Sequence, residues 1–166
     1  MLRRTLLSLL ALGFWPLTAG AIVTVAFESP GQFRDASLEG SYIVAADEPA
    51  LREIGKHLQK LGERYLAPGE TLAVEVLDVD LAGRFEPWRT HAYGVRFMDS
   101  ITWPMIRVRY TLQRDGHTQM SAEERLIDQM YLAHQTTYFS NDRLRYEKRM
   151  LDHWFRTRFV EHVPPP

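Results

Sequence analysis

An α+β fold is predicted for this 166-residue chain by two helix-period segments and four segments of strand character. They follow one another as strand, helix, strand, strand, strand, helix. The expectation is an antiparallel or mixed sheet of about four strands packed against two amphipathic helices.

The first strand is read where Val23, Val25 and Phe27 alternate with Thr24, Ala26 and Glu28, and Ser29-Pro30-Gly31 ends it. A loop with Phe33 and Tyr42 runs to about Ala46. Asp47-Glu48-Pro49 opens the first helix, with Asp47 as expected N-cap and Pro49 in the first turn. Leu51, Ile54, Leu58, Leu61 and Tyr65 recur at spacings of three and four, which gives one apolar face. Pro68-Gly69 stops it.

Leu72, Val74 and Val76 alternate, and Leu77, Val79 and Leu81 continue on the opposite parity. That switch predicts a bulge, or a strand covered on both faces. Gly83 ends it, and residues 85–100 read as loop. Residues 102–112 form the clearest strand, with Pro104, Ile106, Val108, Tyr110 and Leu112 on one face. Pro104 argues for an edge position or a strand beginning.

Residues 117–131 admit two readings. Ser121-Ala122-Glu123-Glu124 resembles a capping box, which would start a helix. Arg114-Asp115-Gly116 resembles a hairpin turn, and turn chemistry favours the hairpin. A three-residue loop would set Tyr110 opposite Met120, Val108 opposite Ala122 and Arg107 opposite Glu123, pairing apolar with apolar and acid with base. A two-residue loop would set Val108 against Glu123, which is worse. Ser140 or Asn141 is the expected cap of a last helix over 142–159, with Leu144, Leu151, Phe155 and Phe159 as its stripe.

Ahead of the first strand, Met1-Leu2-Arg3-Arg4 is basic, residues 5–12 are apolar, and Ala19-Gly20-Ala21 offers small residues. This is the order of a secretory signal peptide, with cleavage expected after Ala21 and Ala19 as the nearest alternative. The apolar run is too short to span a bilayer, which takes about 20 residues. The mature chain, 22–166, is expected to be one domain with a loose tail at 160–166, periplasmic or secreted. Losing Arg3 and Arg4 leaves 18 basic against 21 acidic residues, which excludes a simple polycation coating nucleic acid. There is no cysteine, so disulfides, thiolate metal sites and a lipid-modified cysteine are excluded. No cofactor is implied.

Three blocks resemble a known family: Glu75-Val76-Leu77-Asp78-Val79-Asp80-Leu81-Ala82-Gly83-Arg84, Ile101-Thr102-Trp103-Pro104-Met105-Ile106-Arg107-Val108-Arg109-Tyr110, and Tyr146-Glu147-Lys148-Arg149-Met150-Leu151-Asp152-His153-Trp154-Phe155. The family comprises exported proteobacterial proteins catalogued as domain of unknown function three-zero-one-six. The resemblance covers most of the mature chain and implies a Gram-negative envelope protein. It brings no activity, cofactor or catalytic residue. The stretch from His134 to Tyr138 departs from the family's pattern.

Candidate chemistry is sparse. Asp78 and Asp80 lie two apart in a strand and so share a face. Glu124 falls on the apolar face of the hairpin, and Asp128 follows on the same face. Four converging carboxylates would suit Ca2+ or Mg2+. Against that, Asp78 and Asp80 mark a strand end where backbone groups or Arg84 are ready partners. Glycoside hydrolysis would need Asp78 or Glu86 to find a second carboxylate beside Trp88 or Trp103. The six histidines are scattered and show no ligand spacing. A basic last helix with Tyr146, Arg149, Trp154 and Arg156, joined by Trp103, Arg107 and Arg109, is the candidate binding surface for an envelope protein or anionic envelope surface. The alternative there is a solvated helix face with Glu147 and Asp152 as local partners. The expected function is a non-enzymatic binding or accessory module. The alternative is a small hydrolase or divalent-metal-dependent binder using Asp78, Asp80, Glu124 and Asp128.

Overall fold

The computed structural model describes residues 20–40, 44–45, 47–91 and 94–165. The expected signal segment, apart from its last two residues, lies outside them, as does Tyr42. The elements are β1 (Ile22–Phe27), α1 (Pro49–Tyr65), β2 (Glu70–Asp80), β3 (Arg84–Phe85), β4 (Arg96–Phe97), β5 (Met105–Arg114), β6 (His117–Ile127) and α2 (Arg145–Phe155). The last helix continues as a π-helical turn, Arg156–Val160. The main sheet is mixed, in the order β1-β2-β5-β6, so the expected α+β class and element order hold. A short β3–β4 hairpin, unforeseen, interrupts the loop after β2.

β1 runs parallel to β2, and a parallel pair needs a crossover, which α1 supplies. Leu51, Ile54 and Leu58 are fully buried on its apolar face. The helix approaches β1 closely because residue 62 is glycine: a Cβ there would sit 1.9 Å from Val23 Cγ2. Pro49 occupies the first turn as expected, but the N-cap is Glu48 and no side chain caps the helix. Asp47 instead offers its backbone carbonyl to Arg52, at 2.7 Å.

The parity switch in β2 is a bulge between Val76 and Asp78. Beyond it Asp35 bridges to Asp80, extending the sheet past the end of β1. Arg96 ties the β3–β4 hairpin down: its Nε donates to the Ala82 carbonyl at 2.6 Å, and one terminal nitrogen reaches Asp35 at 2.7 Å and the Leu81 carbonyl at 2.9 Å.

Residues 117–127 are strand, not helix. The turn has two residues, Asp115 and Gly116, both at positive φ (50° and 77°), the geometry that suits the twist of a tight hairpin. The expected pairing is therefore corrected by two residues. Past a bulge at Gln119, Tyr110 lies opposite Ala122, Val108 opposite Glu124 and Arg107 opposite Arg125. The bulge adds a residue that uniform pairing does not anticipate, but a two-residue shift preserves which face each side chain takes. A second correction concerns position. β5 is interior, paired on both sides, so it is no edge and cannot accept a partner strand; the edges are β1 and β6. Pro104 stands just ahead of β5, its carbonyl accepting the Asp128 N–H at 3.4 Å.

The expected stripe of α2 is buried: Leu144, Leu151, Phe155 and Phe159, with Met150 and Trp154 beside it. Ser140 and Asn141 do not cap it. Asp142 does the nearest equivalent, accepting the Leu144 N–H at 2.9 Å. At the tail, the Val163 N–H donates to the Thr157 carbonyl at 3.0 Å.

Candidate functional site

Alternation in β6 places Ala122, Glu124 and Leu126 toward the helices, so a carboxylate lies on an otherwise apolar face. Taking a lone carboxylate out of water is costly unless a cation and hydrogen bonds accompany it. The π-helical turn after α2 brings Arg158 inward together with Phe159. Arg158 Nε donates to both Glu124 oxygens, at 2.7 and 2.9 Å, and its NH2 donates to Oε2 at 2.6 Å. The Tyr110 hydroxyl donates to Glu124 Oε1 at 2.7 Å. Arg158 NH1 reaches on to the Val163 carbonyl at 2.9 Å. Trp154 and Phe159 pack edge-on to Tyr110, each with centroids 5.5 Å away.

Burial works to raise the Glu124 pKa, but Arg158 and Tyr110 outweigh it and hold it below the usual carboxylate range. The same bond to Glu124 raises the Arg158 pKa. Burial, and then the bond to Glu124, pushes the Tyr110 hydroxyl up. At neutral pH the triad is an ion pair with a neutral phenol, with no net charge to offer a substrate.

Next to this triad, between β6 and α2, lies a pocket of about 210 Å³ whose lining includes Leu126, Met150, His153, Trp154 and Thr157. Small-molecule sites usually span about 300 to 1,000 Å³, so this one suits a side chain or two. A wider hollow adjoins it, lined in part by Asp128, Met130 and His134.

The four carboxylates expected to converge do not share a site. Asp78 is on the open face of the sheet, paired with Arg34 at 3.2 Å. Asp80 shares that face, and its pKa is raised by burial and then by Asp35. Glu124 is held by Arg158. Asp128 binds Arg149 and, at 3.1 Å, His134. Among the described residues no group of three His, Cys, Asp or Glu side chains is placed to hold a metal ion. Glu86 is bound by Arg84 and Arg89, beside a Trp88 that is exposed.

The candidate binding residues are divided between environments. Arg107 and Arg109 lie on the open face, paired with Glu123 and Glu75. Trp154 is buried and Arg149 is largely so. Tyr146 stacks edge-on against Tyr131 at 4.8 Å, Arg156 pairs with Glu161 at 3.2 Å, and Trp103 is half-buried. The basic helix is thus not one free cationic face. Its acidic residues are not local partners of those bases either. Glu147 is buried and accepts the Ala82 N–H at 2.7 Å. Asp152 accepts from Tyr138 at 2.7 Å and lies 2.8 Å from His57 Nε2.

Arg158, Tyr110 and Thr157 were absent from the candidate set. One signal for Arg158 was available: a glutamate on an apolar strand face calls for a cation, and Arg158 lies four residues after Trp154, on the buried side of its helix.

The fold and site define an α+β domain with a mixed four-stranded sheet, two helices on one face, and a buried ion pair beneath a free sheet edge. The chain belongs to the family described as Protein of unknown function (DUF3016), which matches residues 21–157. This agrees with the family that the three sequence blocks resemble. No functionally curated protein matches the chain. A solved structure described as an uncharacterized protein is similar at 12% identity, over 87% of this chain and 90% of that one, with a TM-score of 0.40. A likeness that distant carries no argument.

Proposed function

We propose that the protein is exported and serves as a non-enzymatic binding module for another component of the cell envelope. The observation that carries the binding role is the groove at the β6 edge. Its buried charges are satisfied internally by Arg158 and Tyr110, while Leu126, Met150 and Trp154 form the apolar part of a lining that opens beside an unpaired strand. Export is supported by the basic, apolar and small-residue order of the first 21 residues. It is also supported by the start of β1 at Ile22, which leaves the sheet whole after cleavage at Ala21. No described helix is long and apolar enough to cross a membrane. The test is fractionation of cells producing the protein, with the intact mass of the product and chemical crosslinking in the same sample. The expected result is an envelope-fraction chain beginning at Ile22, crosslinked to a second component. An uncleaved cytoplasmic product would overturn it.

A second reading, a small hydrolase or metal-dependent binder, draws on Asp80, whose pKa is raised by burial and then by Asp35. Asp78→Asn with Asp80→Asn separates the two: under the binding reading the phenotype and the crosslink persist.

A further inference from the structure

We propose that the β6 edge and its groove take up an extended peptide of alternating apolar–acidic–apolar sequence, added to the sheet as a fifth strand. This rests on the binding reading above and names the partner's chemistry.

Three features of the edge argue for it. First, β6 pairs only with β5, and among the described residues its outward backbone groups make no hydrogen bond to another segment. Such an edge is a template for strand addition. The Gln119 bulge distorts the turn end, so residues 120–127 are the regular stretch. Second, one cation on the open face lacks a partner at this edge. In one cross-strand row Glu75, Arg109 and Glu123 alternate, with both contacts at 3.0 Å. In the next row Asp78 lies opposite Arg107, which on its other side stands directly opposite Arg125. Arg125 is exposed and makes no ion pair among the described residues. A strand laid against β6 with an acid opposite Arg125 completes that row. Third, period-two alternation turns the residues on either side of that acid to the other face. There the pocket of about 210 Å³, with Leu126, Met150 and Trp154 in its wall, receives an apolar side chain.

A second copy of this chain is a poorer occupant. The antiparallel two-fold register that would pair Arg125 with Glu123 sets Glu124 directly opposite its own copy, and like charges directly opposite destabilise.

The probe is fluorescein-labelled Leu-Glu-Leu-Glu-Leu, read by anisotropy with the purified protein, beside the lysine version Leu-Lys-Leu-Lys-Leu. The glutamate peptide is expected to bind and the lysine peptide to bind about tenfold or more weakly, with Arg125→Glu reversing that order. N-methylation of alternate peptide amides is expected to abolish binding in one phase and spare it in the other. Thr157→Phe, which fills the pocket, is expected to weaken binding while the melting temperature reports that the fold persists. Absence of binding, indifference to N-methylation, or an unchanged preference in Arg125→Glu each overturns the proposal. So does a homodimer that the peptide does not dissociate. If the peptide fails but the envelope crosslink persists in Arg125→Glu, the groove assignment falls and the binding reading stands. If neither is seen, both fall.

Discussion

Two charged clusters share strands β5 and β6 and differ in which face of the sheet carries them. On the open face Arg109 bridges Glu75 and Glu123 at 3.0 Å each, with side chains 41 to 50% exposed. One residue along, on the helix-covered face, Glu124 is clasped by Arg158 at 2.6 Å, with side chains 4 and 10% exposed. The chemistry and the distances are alike. Burial alone separates them. In water an ion pair gains little, because solvent already satisfies both charges. Under the helices each charge depends on the other, so removing one leaves an uncompensated ion. The lesson is that neighbouring residues of one strand carry very different weight, and that the heavier cluster is the one sealed in place beside the groove.

The strongest way to break this comparison is Arg158→Ala. We expect a loss of about 3 kcal/mol or more in chemical denaturation, while Arg158→Met combined with Glu124→Leu regains most of it. A single substitution as mild as one on the open face would contradict the assignment.

Another buried carboxylate sharpens it. Glu147 has burial without a cation: burial raises its pKa, only partly opposed by the Ala82 N–H, and its second oxygen has no partner among the described residues. A raised folded pKa means stability present below the unfolded value and lost as pH rises through the folded one. Glu147→Gln is therefore expected to raise the melting temperature at pH 7.5 by about 3 °C and to change it little at pH 4. Equal effects at both pH values would refute the neutral-carboxyl picture.

Glu124 runs the other way. Its folded pKa is depressed, so its stabilisation is present above the unfolded value of about 4.3 and is lost as pH falls through the folded one. Urea midpoints measured from pH 7 down to 3 should fall less in Glu124→Gln than in the parent, from a lower start. The smallest effect belongs to the open face: Arg109→Ala should move the urea midpoint only slightly, and the difference should shrink further in 0.5 M salt. A large, salt-insensitive cost would mean that this face is covered.

Much of the fold was legible because periodicity reports burial. The 3.6-residue stripe of α1, the parity switch at Val76 and the buried face of β5 each predicted what is observed, and so did the choice of a hairpin over a helix at 117–127, although its turn has two residues rather than the expected three. The register of β6 was not legible, because the Gln119 bulge inserts a residue that no local preference announces. Neither was the edge: Pro104 signalled a strand end, and only sheet order shows that β6, not β5, lies outermost. Among site residues, the apolar-face position of Glu124 was visible in the hairpin, whereas its partner lies 34 residues away on a π-turn without a local signature.

By itself, the sequence determined the kind of elements, their order and which side chains face inward, since those follow from local spacing and the pleat. Tertiary structure alone decided which charges meet. Arg158 could have faced solvent with Arg156, and Asp128 could have joined Asp78. Burial made the choice, because a carboxylate closed off from water takes the cation that packing brings to it, and packing is a property of the whole fold.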